Sequence, residues 1–256
     1  MKLNYIFYLF LSLLVLSCSD DDASNSNILT GRLANQLPAG QSSNDLLSAN
    51  RFTSMVVEVV YVEGFEPTQA AINHFTSFLE DRTFKPDGIT VEKRAIASPG
   101  LASYTINDII AIEDANRTRF NTENQIAVWA FFADAESASN SGSGVVLGTA
   151  YRNTSFVIFE ETISSFSDQP LEPSRNVLES VVIEHEFGHI LGLTNLGAPL
   201  QSNHEDGAHP KHCNVEDCLM YWTAETGSGI IDMVSGGNIP TLDAQCIADL
   251  QANGGR

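Results

Sequence analysis

Residues 181–192 read Val-Val-Ile-Glu-His-Glu-Phe-Gly-His-Ile-Leu-Gly and contain the motif H-E-x-x-H. On a helix, His185 and His189 project from one face about one turn apart, with Glu186 beside them. Two neutral imidazoles can bind one zinc ion, and the neighbouring carboxylate can take a proton from water bound to that ion. The motif therefore predicts a catalytic zinc site with His185 and His189 as ligands and Glu186 as general base.

The helix that carries this motif is apolar on most of its circumference, which predicts that it runs through a core. The apolar positions are Leu178, Val182, Ile183, Phe187, Ile190 and Leu191. The alternative reading is that two histidines and a glutamate fell into register by chance in a buried helix. Buried imidazoles without partners are costly, and a metal ion supplies the partner.

Composition sets broad limits on what the chain can be. It has 256 residues, 43% of them hydrophobic, which is enough for one packed domain. The formal net charge of −19 repels nucleic-acid phosphates, so no nucleic-acid partner is expected. The simplest explanation of the acidity is solubility outside the cell.

The N-terminus has the form of an export signal. Residues 1–17 contain an apolar run that is too short for a comfortable transmembrane helix, and the run ends at Ser17-Cys18. This junction resembles the lipobox of bacterial lipoproteins, which implies that Cys18 carries lipid and anchors the chain to a membrane. The acidic tract at residues 20–22 resembles that of some surface-displayed lipoproteins, so we expect the outer membrane or cell surface. An ordinary signal peptide is the alternative.

The rest of the chain alternates strand and helix patterns. Residues 18–50 are polar and predict a flexible tether or a short pro-segment, which places the catalytic domain at residues 51–256. The domain pattern predicts an α/β (α+β) fold with a mixed, twisted sheet of about five strands. Predicted strands cover residues 55–62, 89–93, 126–132, 145–150 and 155–159, the last two as an antiparallel hairpin. Helices are predicted from residue 67, over 105–117 and over 174–192, with a terminal helix around residues 242–250.

This order of elements resembles the catalytic domain of the metzincin zinc peptidases. Their signature is H-E-x-x-H-x-x-G-x-x-H followed by a Met-turn. The chain matches it through Gly192, but Asn195 stands where the third histidine is expected. Because asparagine is a poor zinc ligand beside imidazole, either the third ligand lies elsewhere or the site is impaired.

Residues 212–220, His-Cys-Asn-Val-Glu-Asp-Cys-Leu-Met, resemble the form in which archaemetzincins present the third histidine, their cysteines and the Met-turn. The resemblance implies His212 as third zinc ligand and Met220 as the Met-turn methionine, after a 17-residue insertion. The insertion contains His204 and His209, which stay open as alternatives.

The cysteines of this segment leave two further questions. Cys213 and Cys218 are close enough in sequence for a disulfide in an oxidising compartment. Archaemetzincins also hold a structural zinc with a second cysteine pair, of which this chain has only Cys246. The resemblance therefore implies one catalytic zinc ion and leaves a second ion and the role of Cys246 open.

Together these features predict a zinc endopeptidase that acts on protein or peptide substrates. The strand near residues 145–150 is a candidate for pairing with an extended substrate. Two alternatives remain: a catalytically impaired surface binding protein on a metzincin scaffold, or a zinc hydrolase of small substrates.

Overall fold

The computed structural model describes residues 30–141, 144–169, 172–234 and 236–256, apart from the side chain of residue 228. Within these ranges, five strands form the main sheet and two short strands form a second one. The main sheet contains β1 (Ser54–Val62), β2 (Ile89–Ile96), β4 (Gln125–Phe132), β6 (Gly148–Arg152) and β7 (Ser155–Ile158). The short strands are β3 (Ser103–Tyr104) and β5 (Glu136–Ser137).

The strand order of the main sheet is β2-β1-β4-β7-β6. Strands β1, β2, β4 and β7 are parallel, and β6 pairs antiparallel with β7 at one edge. The apolar runs of β1, interrupted only by the buried Glu58, and of β4 are typical of parallel strands that are covered on both faces. The predicted mixed sheet and its terminal hairpin are therefore confirmed.

Helices cover both faces of this sheet. They are α1 (Ser43–Leu47), α2 (Gln69–Arg82), α3 (Ile106–Asn116), α4 (Glu160–Ser165), α5 (Arg175–Ile190), α6 (Gly227–Met233) and α7 (Ala244–Ala252), with a 3-10 helix at Trp222–Glu225. Phe75 of α2 packs edge-on against Phe187 of α5, with ring centroids 5.2 Å apart, on the face that carries the zinc motif. Ile109 of α3 lies in the core of the opposite face with Trp129 and Phe131.

Helix α5 is buried over its whole length from Val177 to Ile190, as its apolar circumference predicts. The helix ends where Gly192 adopts a left-handed backbone conformation with φ of 82°. A side chain at residue 192 would be strained there and would also meet the backbone nitrogen of Ala198 at 2.6 Å. The chain therefore turns sharply out of the motif helix and into the insertion.

The prediction of a flexible tether over residues 18–50 is wrong for residues 30–50. Leu46 and Leu47 are completely buried in the main core. The Asn35 amide donates hydrogen bonds to Asn121 Oδ1 at 2.9 Å and to the Ala127 carbonyl at 3.0 Å. Composition alone missed this packing because the segment contributes a few apolar side chains and buried amides rather than a regular apolar pattern.

The predicted signal peptide and the lipidation site Cys18 lie outside the described residues. The described helices are all too short or too polar to cross a bilayer.

Candidate metal centre

Three histidines converge at the C-terminal half of α5. His185 and His189 come from the helix, and His212 comes from the loop after the insertion. The imidazole centroids are 4.8 Å apart for His185 and His189, 5.3 Å for His185 and His212, and 5.1 Å for His189 and His212. All three side chains are buried. The structure thus brings together the three histidines that the sequence predicted as a ligand set; we call them the histidine cluster.

The protein fixes the orientation of His185. Its Nδ1 lies 2.7 Å from the carbonyl oxygen of Leu219, so Nδ1–H donates and Nε2 keeps its lone pair for a metal. Within the described residues, His185 Nε2 and both ring nitrogens of His212 are buried without a hydrogen-bond partner. Burial lowers the pKa of His185 to about 4 and that of His189 well below its usual range. Neutral imidazoles with unpaired nitrogens suit a zinc ion.

Met220 packs against α5 at Gly188, which lies between the two motif histidines. A Cβ at residue 188 would lie 2.3 Å from the Met220 sulfur, so only glycine allows Met220 to approach the helix this closely. Met220 is completely buried. The glycine between the two motif histidines therefore has a packing role that the zinc chemistry does not require.

Glu186 is buried beside the edge strand β6. A Cβ at residue 148 would lie 2.7 Å from Glu186 Cγ, so Gly148 leaves the space that this side chain occupies. Both carboxylate oxygens lack a hydrogen-bond partner among the described residues. Burial, followed by the charge of Glu225, raises the pKa of Glu186 well above its usual range. A zinc ion nearby would oppose this shift because positive charge stabilises the carboxylate.

Glu225 is a member of this site that the sequence analysis did not find. Its carboxylate oxygens lie 3.3 Å from His212 Nε2, 3.8 Å from His185 Nε2 and 3.9 Å from His189 Nε2. Glu225 ends the 3-10 helix five residues after Met220. The only signal in the sequence was a glutamate shortly after Met220. The pattern quoted for residues 212–220 ends at that methionine and gives no role to a residue beyond it.

A second cluster corrects the disulfide prediction. The three described cysteines, Cys213, Cys218 and Cys246, are free and completely buried. The sulfurs of Cys218 and Cys246 are 3.6 Å apart, and Cys213 Sγ lies 3.4 Å from His204 Nδ1. Cys213 and Cys218 therefore face a shared centre with two further donors instead of pairing with each other. We call these four residues the thiol cluster.

His204 adds an imidazole to the three thiols. Its Nδ1 faces Cys213 and Cys246, while Nε2 lies 2.8 Å from Asp249 Oδ2. Asp249 thus fixes the tautomer that leaves Nδ1 available to a metal. Hydrogen bonds from the other two thiols and from His204 hold the pKa of Cys213 below its usual range. The donor atoms of His204, Cys213, Cys246 and Asp243 lie within 4.8 Å of one another, and Cys218 Sγ lies 3.7 Å from Asp243 Oδ1. Thiolate, imidazole and carboxylate groups are zinc ligands, so this donor set fits a structural zinc site.

The remaining candidate ligands lie in neither cluster. His209 stacks on Trp222, with centroids 4.1 Å apart, and its Nδ1 lies 2.7 Å from Asp206 Oδ2. The Asn195 amide donates to Glu205 Oε2 at 3.0 Å, inside the insertion. Of the three histidines considered for third ligand, His212 alone joins His185 and His189.

Known structures share this architecture. The chain matches the crystal structure of archaemetzincin from Methanopyrus kandleri with a TM-score of 0.53 and 16% identity, over 78% of this chain and 96% of that one. The predicted α/β fold with a five-stranded mixed sheet is thereby confirmed. Protein-family models and curated proteins give no match.

Two further solved structures are similar at lower scores. A zinc-dependent peptidase from Methanocorpusculum labreanum has a TM-score of 0.46 and 10% identity, over 76% of this chain and 99% of that one. Metalloproteinase-II from Bacteroides fragilis has a TM-score of 0.38 and 15% identity, over 85% of this chain and 57% of that one.

Proposed function

We propose that this protein is a zinc-dependent endopeptidase. The observation that carries the proposal is the convergence of His185, His189 and His212 with Glu186 adjacent on the same helix. A structural zinc site does not need a free carboxylate beside its ligands, whereas hydrolysis needs a proton acceptor there. The carboxylate therefore favours a catalytic site over an impaired binding protein.

The histidine cluster would hold zinc that polarises the scissile carbonyl and acidifies the attacking water. Glu186 accepts the proton of that water and delivers it to the leaving amine. Because Gly148 has no side chain, the Glu186 side chain fits against the start of β6. The burial of Glu186 excludes competing water from this proton transfer.

An extended peptide fits this site better than a small substrate does. Strand β6 is an edge of the main sheet, and its outer backbone groups can add a substrate strand. Glu186 touches this same strand at Gly148, so a peptide paired with β6 passes the proton acceptor. This favours cleavage inside a chain.

The thiol cluster would hold a second zinc with a structural role. It joins the insertion, the segment that contains His212, and α7. Because Cys213 is the neighbour of His212, a metal at the thiol cluster also anchors the third ligand of the histidine cluster.

The chain acts outside the cytoplasm as a lipoprotein anchored through Cys18, at the outer membrane or cell surface. The apolar run before Cys18 and the polar, acidic residues after it support this proposal.

The test of the function is cleavage of a peptide library by the purified, zinc-loaded protein. Cleavage should stop when 1,10-phenanthroline removes the metal and should return when zinc is restored. Peptides should be cut at internal bonds, not at their ends. Zinc-loaded, folded protein that cuts neither the library nor an unfolded protein would contradict the proposal. Cleavage of dipeptides alone would favour the small-substrate hydrolase.

A further inference from the structure

The position of Glu225 implies more than a neighbouring charge. We infer that Glu225 is a fourth protein ligand of the metal at the histidine cluster, and that it must leave when water or substrate binds. The inference rests on the proposed zinc site but concerns its coordination rather than its reaction.

The distances support a direct ligand. Two ligands at about 2.0–2.1 Å from a tetrahedral ion are about 3.3–3.4 Å apart. Glu225 Oε1 lies 3.3 Å from His212 Nε2, and Oε2 lies 3.8 Å and 3.9 Å from the Nε2 atoms of His185 and His189. The donor atoms of all four residues lie within 4.8 Å of one another. The carboxylate therefore faces the three imidazoles as a fourth corner.

The backbone holds Glu225 in this place. The Leu147 amide donates to the Glu225 carbonyl at 3.1 Å, and the Gly227 amide donates to the Val145 carbonyl at 3.0 Å. These bonds join the end of the 3-10 helix to the segment that leads into β6. The stretch that supplies the carboxylate is thus paired through its backbone with residues 145–147, directly before β6.

The chemical consequence follows from the coordination number. Catalytic zinc sites keep three protein ligands and leave the fourth position to water or substrate. Three imidazoles and a carboxylate together would fill all four coordination positions of the zinc. A smaller fraction of the zinc ions would then carry a bound water. Glu225 would then be a displaceable ligand that slows the peptidase and excludes weak ligands.

The experiment measures zinc affinity and the binding of acetohydroxamate, a small zinc chelator that needs open coordination positions. Glu225→Gln removes the charged ligand, and Glu225→Asp keeps the charge but draws it back by one methylene. Both should bind zinc at the histidine cluster at least about tenfold more weakly, as expected for loss of a supporting group. In the zinc-loaded state, both should bind acetohydroxamate about tenfold or more tightly than the parent. Exposed Glu123→Gln is the control.

Zinc and acetohydroxamate affinities of both variants equal to those of the parent would overturn the inference. If Glu225→Asp matches the parent and only Glu225→Gln loses zinc affinity, the carboxylate acts as a neighbouring charge and the ligand role is wrong. Should Glu225→Gln fail to fold, as judged by its melting transition, Glu225→Asp decides the question alone. Neither readout requires cleavage, so failure of the peptidase proposal would be seen separately in the peptide assay.

Discussion

His204 Nε2 lies 2.8 Å from Asp249 Oδ2, and both side chains are completely buried. This contact ties the insertion to the C-terminal helix α7. It also turns His204 Nδ1 toward Cys213 and Cys246, so that a residue of the insertion completes the thiol cluster. The insertion that separates His212 from Gly192 therefore contributes an imidazole to the proposed second metal site.

The first prediction follows from this contact. Asp249→Ala removes the group that orients His204 and should weaken zinc at the thiol cluster by about 10–100-fold, the usual effect of losing such a partner. Zinc content after competition with a chelator measures the change. Exposed Asp232→Ala should retain two ions per chain. A parent protein that binds one zinc, with all three thiols freely reactive, would exclude the second site.

The second prediction concerns the third ligand of the histidine cluster. His212→Ala should lose zinc from that cluster because two imidazoles remain where three converge. His209→Ala is the matched control, since His209 stacks on Trp222 and should leave zinc affinity unchanged. Equal zinc affinity in the two variants would remove His212 from the ligand set.

Sequence reasoning could predict the fold and most of the site because periodicity and motif spacing are local signals. The apolar circumference of α5 predicted a buried helix, and the apolar runs of β1 and β4 predicted buried strands. The partners of Cys213 and Cys218 could not be predicted because His204 and Cys246 approach them only after the insertion and α7 fold together. Glu225 was missed for the same reason, since its backbone position depends on the bonds to Val145 and Leu147.

The third prediction tests the packing of the Met-turn. Gly188→Ala places a Cβ 2.3 Å from the Met220 sulfur and should destabilise the protein by about 1–3 kcal/mol through overpacking. Gly207→Ala is the control, because its Cβ would meet nothing within 4 Å. Urea unfolding of the two variants measures the difference. A Gly188→Ala protein as stable as the control would show that the Met-turn is not held against the helix.

The fourth prediction concerns anchoring. Cys18→Ser removes the acceptor of the lipid and should shift the protein from the membrane fraction to the soluble fraction, or leave its signal uncleaved. Metabolic labelling with a fatty acid should mark the parent and not the variant. If the parent takes up no fatty acid and the Cys18→Ser variant fractionates with membranes as the parent does, the lipoprotein proposal is excluded.

The central claim is that Glu186 moves the proton for peptide hydrolysis at the histidine cluster. The most direct test compares kcat/KM of the parent with that of Glu186→Gln on one cleaved peptide, with zinc content measured in the same samples. The account predicts full zinc content and a loss of kcat/KM of about 10²–10⁴-fold in the variant, the range for removal of a general base. Glu123→Gln should match the parent. A zinc-loaded Glu186→Gln protein that cleaves as fast as the parent would contradict the account.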